Sequence, residues 1–327
     1  MGARVSQVVR HVIDAITPAS RAHAEAARAA VAGAGAPVLD RLAAALGAAQ
    51  HRPRPRGEHR TIVVVAGDHG CGDPGIAMGA DHPTVLAARA IGDGSAALAQ
   101  LARAARTPIV LVDAGTREPS HMPSEIVRLG RGPSADLARE PALTVVEATQ
   151  NLEAGIALAV TLVERLGDTR ADVIAVGAIG VGAEVAAQAL LGAAAGAPPP
   201  ATGDAVVDAA GARGATAARL GALDRLATFG GPDTALLAGL MLASASMNVP
   251  VILDGYATGA AALVAAAFAP AVTGYLIAAH RGNATHAAIL AQLGLAPLFE
   301  VGLGHGEGTG AAIVLPLVDQ VAALAAG

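Results

Sequence analysis

Thr61-Ile-Val-Val-Val-Ala66, running straight into Gly67-Asp68-His69-Gly70, decides the architecture. An apolar, β-branched run with no polar alternation describes a strand covered on both faces, and the abrupt change to Gly, Asp and His marks its carboxyl end. The same grammar recurs at Pro108–Val112, Asp172–Val176, Val249–Leu253 and Gly274–Ala278, with Ala-rich helical stretches between. Helices between such strands imply parallel βαβ units, so the expected fold is α/β, a doubly wound, mostly parallel, Rossmann-like sheet. Leu298–Gly302 is a weaker run that fits either a sixth strand or an extended loop.

Upstream, Ser20–Ala32 and Ala36–Ala49 carry helical periodicity, and His51-Arg-Pro-Arg-Pro-Arg-Gly-Glu-His-Arg60 breaks it. The reading is therefore N-terminal helices over 1–50, a solvated linker over 51–60 with its four arginines at the surface, and an α/β domain over 61–327. Gly196–Gly203 reads as a loop, with helices from about Ala215 onward.

Composition excludes several classes. Hydrophobic residues make up 53% of the 327 and charged residues 15%, which is not the balance of a disordered chain. The net charge is −5 and all 22 basic residues are arginine, without a clustered basic face, so no nucleic-acid partner is expected. Three Phe, two Tyr and no Trp leave no platform for stacking bases. Cys71 is alone, so neither an internal disulfide nor a multi-cysteine metal site is possible. Tyr256–Ala279 is long and uncharged enough to resemble a membrane span, but Pro270 breaks it, and a buried helix followed by a buried strand is expected instead. Arg4, Arg10 and Asp14 interrupt the start, so no signal peptide is read there and a cytoplasmic location is the expectation.

In an open parallel sheet the ligand crevice lies beyond the carboxyl ends of the strands. The residues standing there are Asp68 and His69, Asp113, Gly177 with Gly180 and Gly182, Asp254, and His280. Asp and Gly at such places also serve simply to end strands and cap helices. Gly302-Leu-Gly-His-Gly-Glu-Gly-Thr-Gly310 precedes an apolar helix and is the most informative segment. Its glycines let the backbone approach a ligand, and the helix start offers N–H donors to an anion. The Gly-Lys-Ser/Thr ending of a nucleotide phosphate loop is missing. Glu307, beside His305 and flanked by Gly304, Gly306 and Gly308, is either a general base held in place or a carboxylate favoured by the helix dipole. A metal-dependent hydrolase using Asp68, His69, Asp113, Asp254 and His280 has no supporting local spacing, and Cys71 has no base clearly placed to make it a nucleophile.

Seven segments, collinear from about residue 60 to the end, resemble the nicotinate-nucleotide–dimethylbenzimidazole phosphoribosyltransferase family. They are Val65–Gly70 with Gly75-Ile-Ala77, Val112–Gly115, Asn151–Ile156, Phe229–Gly231 with Ala238-Gly239, Pro250–Tyr256, Tyr275–His280 and Leu303–Ala311. The resemblance implies a smaller helical domain drawn from the chain ends and a homodimer; no cofactor or metal is expected. It also implies transfer of the phosphoribosyl group of nicotinate mononucleotide to a benzimidazole-type base, giving an α-ribazole phosphate of cobalamin lower-ligand synthesis. Glu307 falls on the family's catalytic glutamate. Asp254 and His280 would shape the crevice, Asp68 and His69 would border the base, and Gly177, Gly180 and Gly182 would present N–H groups to the phosphate, alongside Gly304, Gly306 and Gly308.

Departures from the family pattern stand beside these matches. Most of a Lys-Pro-Pro-Gly-Ser-Leu-Gly-Arg-Leu-Glu motif is absent at Ala34–Leu42, and Gly79-Ala80 replaces a Ser or Tyr followed by Pro. The family's Gly-Glu-(Leu/Met)-Gly-x-(Gly/Ala)-Asn-Thr-Thr loop is Gly177–Val185, with Ala178 for the acid, Ala183 for the Asn and a new acid, Glu184, where phosphate repulsion is expected unless Arg213 or Arg219 offsets it. His-x-Ser-Ala-Glu becomes His280-Arg-Gly-Asn-Ala284. These leave two alternatives, a divergent relative using another base or donor, and a non-catalytic homologue that binds a small molecule.

Overall fold

The computed structural model describes residues 3–71, 75–164, 171–303 and 306–326. The strands are β1 (Arg60–Gly67), β2 (Ile109–Gly115), β3 (Val127–Arg128), β4 (Val173–Ile179), β5 (Val251–Leu253) and β6 (Leu276–Ala278). They pair in parallel throughout, in the order β3-β2-β1-β4-β5-β6. The five expected strands are present. Leu298–Gly302 is an extended loop tied in by one bridge, Phe299 to His280. The two-residue edge strand β3 has too little pattern to be read from sequence.

Alternation along the strands builds two cores. Val63, Val65, Ile174 and Val176 face the helices Val145–Glu164, Ala183–Ala195, Pro232–Ser246 and Gly255–Phe268. Ile62, Val64, Val173 and Ala175 face the other way, onto Pro37–Gln50, Pro83–Gly92 and Thr309–Ala326. Leu42 and Leu46 of the N-terminal helices belong to this second core, so they bury apolar area directly against the sheet. Gly255–Phe268 is a buried helix followed by the buried β6, as expected of a core segment. Thr309–Ala326 is also long and apolar, and Ala311, Val314, Leu315, Val318 and Val321 pack it into the second core.

Two segments of the family resemblance serve helix packing. A Cβ at Gly155 would lie 1.9 Å from the Leu236 carbonyl oxygen, and one at Gly239 would lie 1.9 Å from that of Leu152. The helices Val145–Glu164 and Pro232–Ser246 therefore cross backbone to backbone, a separation that any side chain there would abolish.

The stretch 51–60 is less solvated than its composition suggests. Gln50 accepts from the Arg56 N–H at 2.8 Å and donates to its carbonyl at 2.7 Å, while Pro55 and Gly57 are buried. Arg52, Arg54 and Arg56 are exposed, but Arg60 begins β1 with its guanidinium on Asp319 and the carbonyls of Leu315 and Ala105. Ahead of Ala215 a further helix, Ala205–Ala215, starts where the Asp204 carboxylate caps the N–H groups of Val206 and Val207.

Candidate active site

The strand order reverses between β1 and β4, and there a crevice opens at the carboxyl ends. A cavity of about 190 Å³ occupies it, lined by Pro83, Thr84, Ala87, Ala178, Ile179, Gly180, Val181, Tyr256, Gly306 and Glu307. Three helices begin at its rim, Pro83–Gly92, Ala183–Ala195 and Thr309–Ala326, so the positive ends of their dipoles lie toward the opening, although the Thr84 N–H already donates to His82 Nδ1 and the Gly310 N–H to Asp254. None of the lining side chains is basic.

Glu307 is partly buried and lines this cavity. Its loop crosses the end of β4: the Ala178 N–H donates to the Gly306 carbonyl at 3.0 Å. Gly177 lies beneath the loop, because a Cβ there would sit 2.2 Å from the Glu307 carbonyl oxygen and 2.4 Å from the Gly308 nitrogen. Gly255, at φ +76°, gives way in the same manner to the Gly306 Cα. Gly308 is buried at φ +107°. Gly304 and His305 lie outside the described residues.

Asp68, His69, Asp113, Asp254 and His280, read from the strand ends, do not line the cavity; they are tied up within the protein around it. Asp68 is wholly buried and accepts from the Thr84 hydroxyl at 2.5 Å, the Val181 N–H at 3.0 Å and the Arg117 N–H at 2.8 Å. One carboxylate thus ties the ends of β1, β2 and β4 to the helix at Pro83. His69 is also wholly buried, 3.2 Å from Asp233 Oδ1. Asp113 accepts from the N–H groups of Gly115 and Thr116 and from the Thr116 hydroxyl, closing its own turn. Asp254 pairs with His280 Nε2 at 2.5 Å and accepts from the N–H groups of Gly308 and Gly310. Hydrogen bonding to Asp254 raises the His280 pKa against the opposing effect of burial. Gly180 lines the cavity and Gly182, at φ +81°, caps the helix Ala183–Ala195. Among the described residues no three of His, Cys, Asp and Glu converge as a metal would need.

Tyr256 went unassigned in sequence, although it follows Asp254-Gly255 and that position was its only signal. Burial pushes its hydroxyl up to about 12, with Glu184 and Asp233 adding, so it is a neutral donor in the cavity wall. Thr84, just inside the helix capped by His82, was also unread. Glu184 accepts from the Asn283 amide at 2.6 Å and the Thr285 hydroxyl at 3.1 Å. Arg213 lies over the Phe229 ring, 5.9 Å from its centroid. Burial pushes the Cys71 thiol up to about 11, which keeps it protonated and a poor nucleophile.

A parallel sheet in the order 3-2-1-4-5-6, with helix N-termini and one partly buried carboxylate at its switch point, has the layout of a Rossmann-like enzyme with a small-molecule crevice. Residues 16–327 match the phosphoribosyltransferase family, and the chain belongs to it. It is 36% identical over 298 residues to the nicotinate-nucleotide–dimethylbenzimidazole phosphoribosyltransferase of Roseiflexus sp. (strain RS-1), covering 85% of this chain and 82% of that protein. The enzyme of the same name from Deinococcus radiodurans is 38% identical over 306 residues, covering 86% and 80%. The crystal structure of CobT from Thermus thermophilus superposes with a TM-score of 0.75 at 29% identity, over 97% of this chain and 95% of that one.

Proposed function

We propose that this chain transfers the phosphoribosyl group of nicotinate mononucleotide to a benzimidazole-type base, releasing nicotinate and an α-ribazole phosphate. One observation carries the reading: Glu307, the position matching the family's catalytic glutamate, lines the cavity at the switch point of the sheet. The unprotonated ring nitrogen of the acceptor attacks the anomeric carbon. The glycosidic C–N bond breaks with its electron pair returning to the pyridinium nitrogen, and the proton on the acceptor's other nitrogen passes to the Glu307 carboxylate. The cavity's 190 Å³ accommodates one flat heterocycle, with the donor's phosphate outside it along Gly180 and Gly182, where helix N–H groups favour an anion. Asp68 and His69 support the walls. Homodimeric assembly, which the resemblance implies, and a cytoplasmic location, expected because the start lacks an uninterrupted apolar run, belong to the same proposal.

Glu307→Gln tests it. Removing a positioned base lowers kcat by about 10²- to 10⁴-fold, while the KM values stay within a few-fold, read as nicotinate released from nicotinate mononucleotide and 5,6-dimethylbenzimidazole. Full activity in that variant would overturn the assignment of Glu307, and no nicotinate release from the unaltered protein at high concentration would overturn the reaction.

A further inference from the structure

We propose that Asp254 and His280 do not touch substrate and form a positioning pair that sets the place of Glu307. The inference rests on the reading of Glu307 as the proton acceptor. Asp254 follows β5, is wholly buried, and is absent from the cavity lining. Its Oδ2 accepts from the Gly308 N–H at 2.7 Å and the Gly310 N–H at 3.1 Å, the residues on either side of the helix start. Its Oδ1 meets His280 Nε2 at 2.5 Å, so both carboxylate oxygens are occupied from within the protein.

The backbone of Asp254 is fixed as well. Its N–H donates to the Thr258 hydroxyl oxygen at 3.0 Å, and that hydroxyl donates back to its carbonyl at 2.7 Å. The side chain therefore has one direction open, toward the glycine loop. On the other side of Glu307, the Gly306 carbonyl is tied to the Ala178 N–H of β4. Glu307 is thus the single residue between two anchors, one on β4 and one on β5. A buried carboxylate accepting two helix N-terminal N–H groups is strongly held, because both the local hydrogen bonds and the helix dipole favour it. Without it, the Gly308 and Gly310 N–H groups lose their acceptor and Glu307 keeps only the anchor at Gly306. His280 keeps the carboxylate turned so that Oδ2 faces the loop. Gly310 packs on the pair from above: a Cβ there would lie 2.3 Å from His280 Cδ2 and 2.6 Å from Asp254 Oδ1.

The experiment measures nicotinate release from nicotinate mononucleotide and 5,6-dimethylbenzimidazole in full-length Asp254→Asn, Gly310→Ala and Glu307→Gln, with thermal melts of each. Positioning predicts that Asp254→Asn and Gly310→Ala each lose at least tenfold in kcat while both KM values stay within threefold. It also predicts that the double variant Asp254→Asn with Glu307→Gln is no slower than Glu307→Gln alone, since residues acting as one unit do not add. A KM rise at unchanged kcat in Asp254→Asn would place Asp254 on the substrate and overturn the inference, as would full activity in that variant. Should Asp254→Asn not fold, the kcat and KM of Gly310→Ala decide by the same criterion. An unimpaired Glu307→Gln would instead refute the reading of Glu307, a different failure from losing the pair.

Discussion

Gly177→Ala adds one methyl group beneath the Glu307 loop without changing any charge or polar group. Gly177 does not require a positive φ, so alanine meets no backbone strain in β4. The penalty is wholly steric, because the new Cβ would stand 2.2 Å from the Glu307 carbonyl oxygen, 2.3 Å from its carbon and 2.4 Å from the Gly308 nitrogen. Ordinary carbon contacts need about 3.5 Å, so the loop or the strand must retreat by about 1 Å. The strand is pinned by ladders to β1 and β5 and the loop by two or three hydrogen bonds, so the loop moves. A misplacement of about 1 Å costs about 100-fold in rate, equivalent to about 2.7 kcal/mol of transition-state stabilisation. Stability changes by about 1–3 kcal/mol, the usual range for overpacking. The assay is steady-state nicotinate release, with urea unfolding alongside. A Gly177→Ala protein that turns over at the unaltered rate would refute the claim that the close approach of strand and loop fixes Glu307.

Three further outcomes follow from the same geometry. Glu184 stands in the first turn of the helix Ala183–Ala195, and no arginine is paired with it among the described contacts. Repulsion of a phosphate about 4 Å away is roughly 1 kcal/mol in water, so Glu184→Gln lowers the donor's KM about fivefold; a KM that rises would show that Glu184 attracts the donor. Asp68→Ala strands the Thr84, Val181 and Arg117 donors and costs at least about 3 kcal/mol by urea unfolding. Burial, aided by the His280 charge, pushes His286 down from 6.5 to about 4. The unfolded chain binds that proton first, so this contribution to stability is complete above the unfolded value and lost as pH falls, by about 3 kcal/mol between pH 7 and pH 4. His280 has the opposite sign, since its raised pKa gives stability below the ordinary histidine value that is lost as pH rises through the folded one. Comparing unfolding of His286→Asn with the unaltered protein at both pH values isolates the first effect, and equal pH dependence would refute it.

The strand runs, their parallel pairing and a close backbone approach at the glycine loop were legible in sequence, whereas a catalytic role for Glu307 was implied only by the family resemblance. The first three depend on local composition: uninterrupted apolar strands need cover on both faces, and Gly-x-Gly spacing before an apolar helix needs a close backbone approach. The buried Gly255–Phe268 helix was likewise foreshadowed, but the packing of Leu42 and Leu46 onto the sheet was not, because periodicity gives a helix its apolar face without saying what covers it. Tyr256 and Thr84 were not, because a single residue next to a strand end carries no periodic signal, and its exposure to a cavity depends on elements distant in the chain.

The residue types at the strand ends were fixed by the sequence alone, as was the order in which they occur. Which of them faces ligand was decided by the tertiary structure. Asp68, Asp113, Asp254 and His280 read alike in one dimension as polar groups closing apolar runs. The fold brings backbone N–H groups of other segments onto these carboxylates and His280 onto Asp254, and a buried carboxylate must satisfy such donors before it can serve anything else. Glu307 alone among the predicted acids is left lining the cavity, because its neighbours are anchored through their backbones and its own side chain is not.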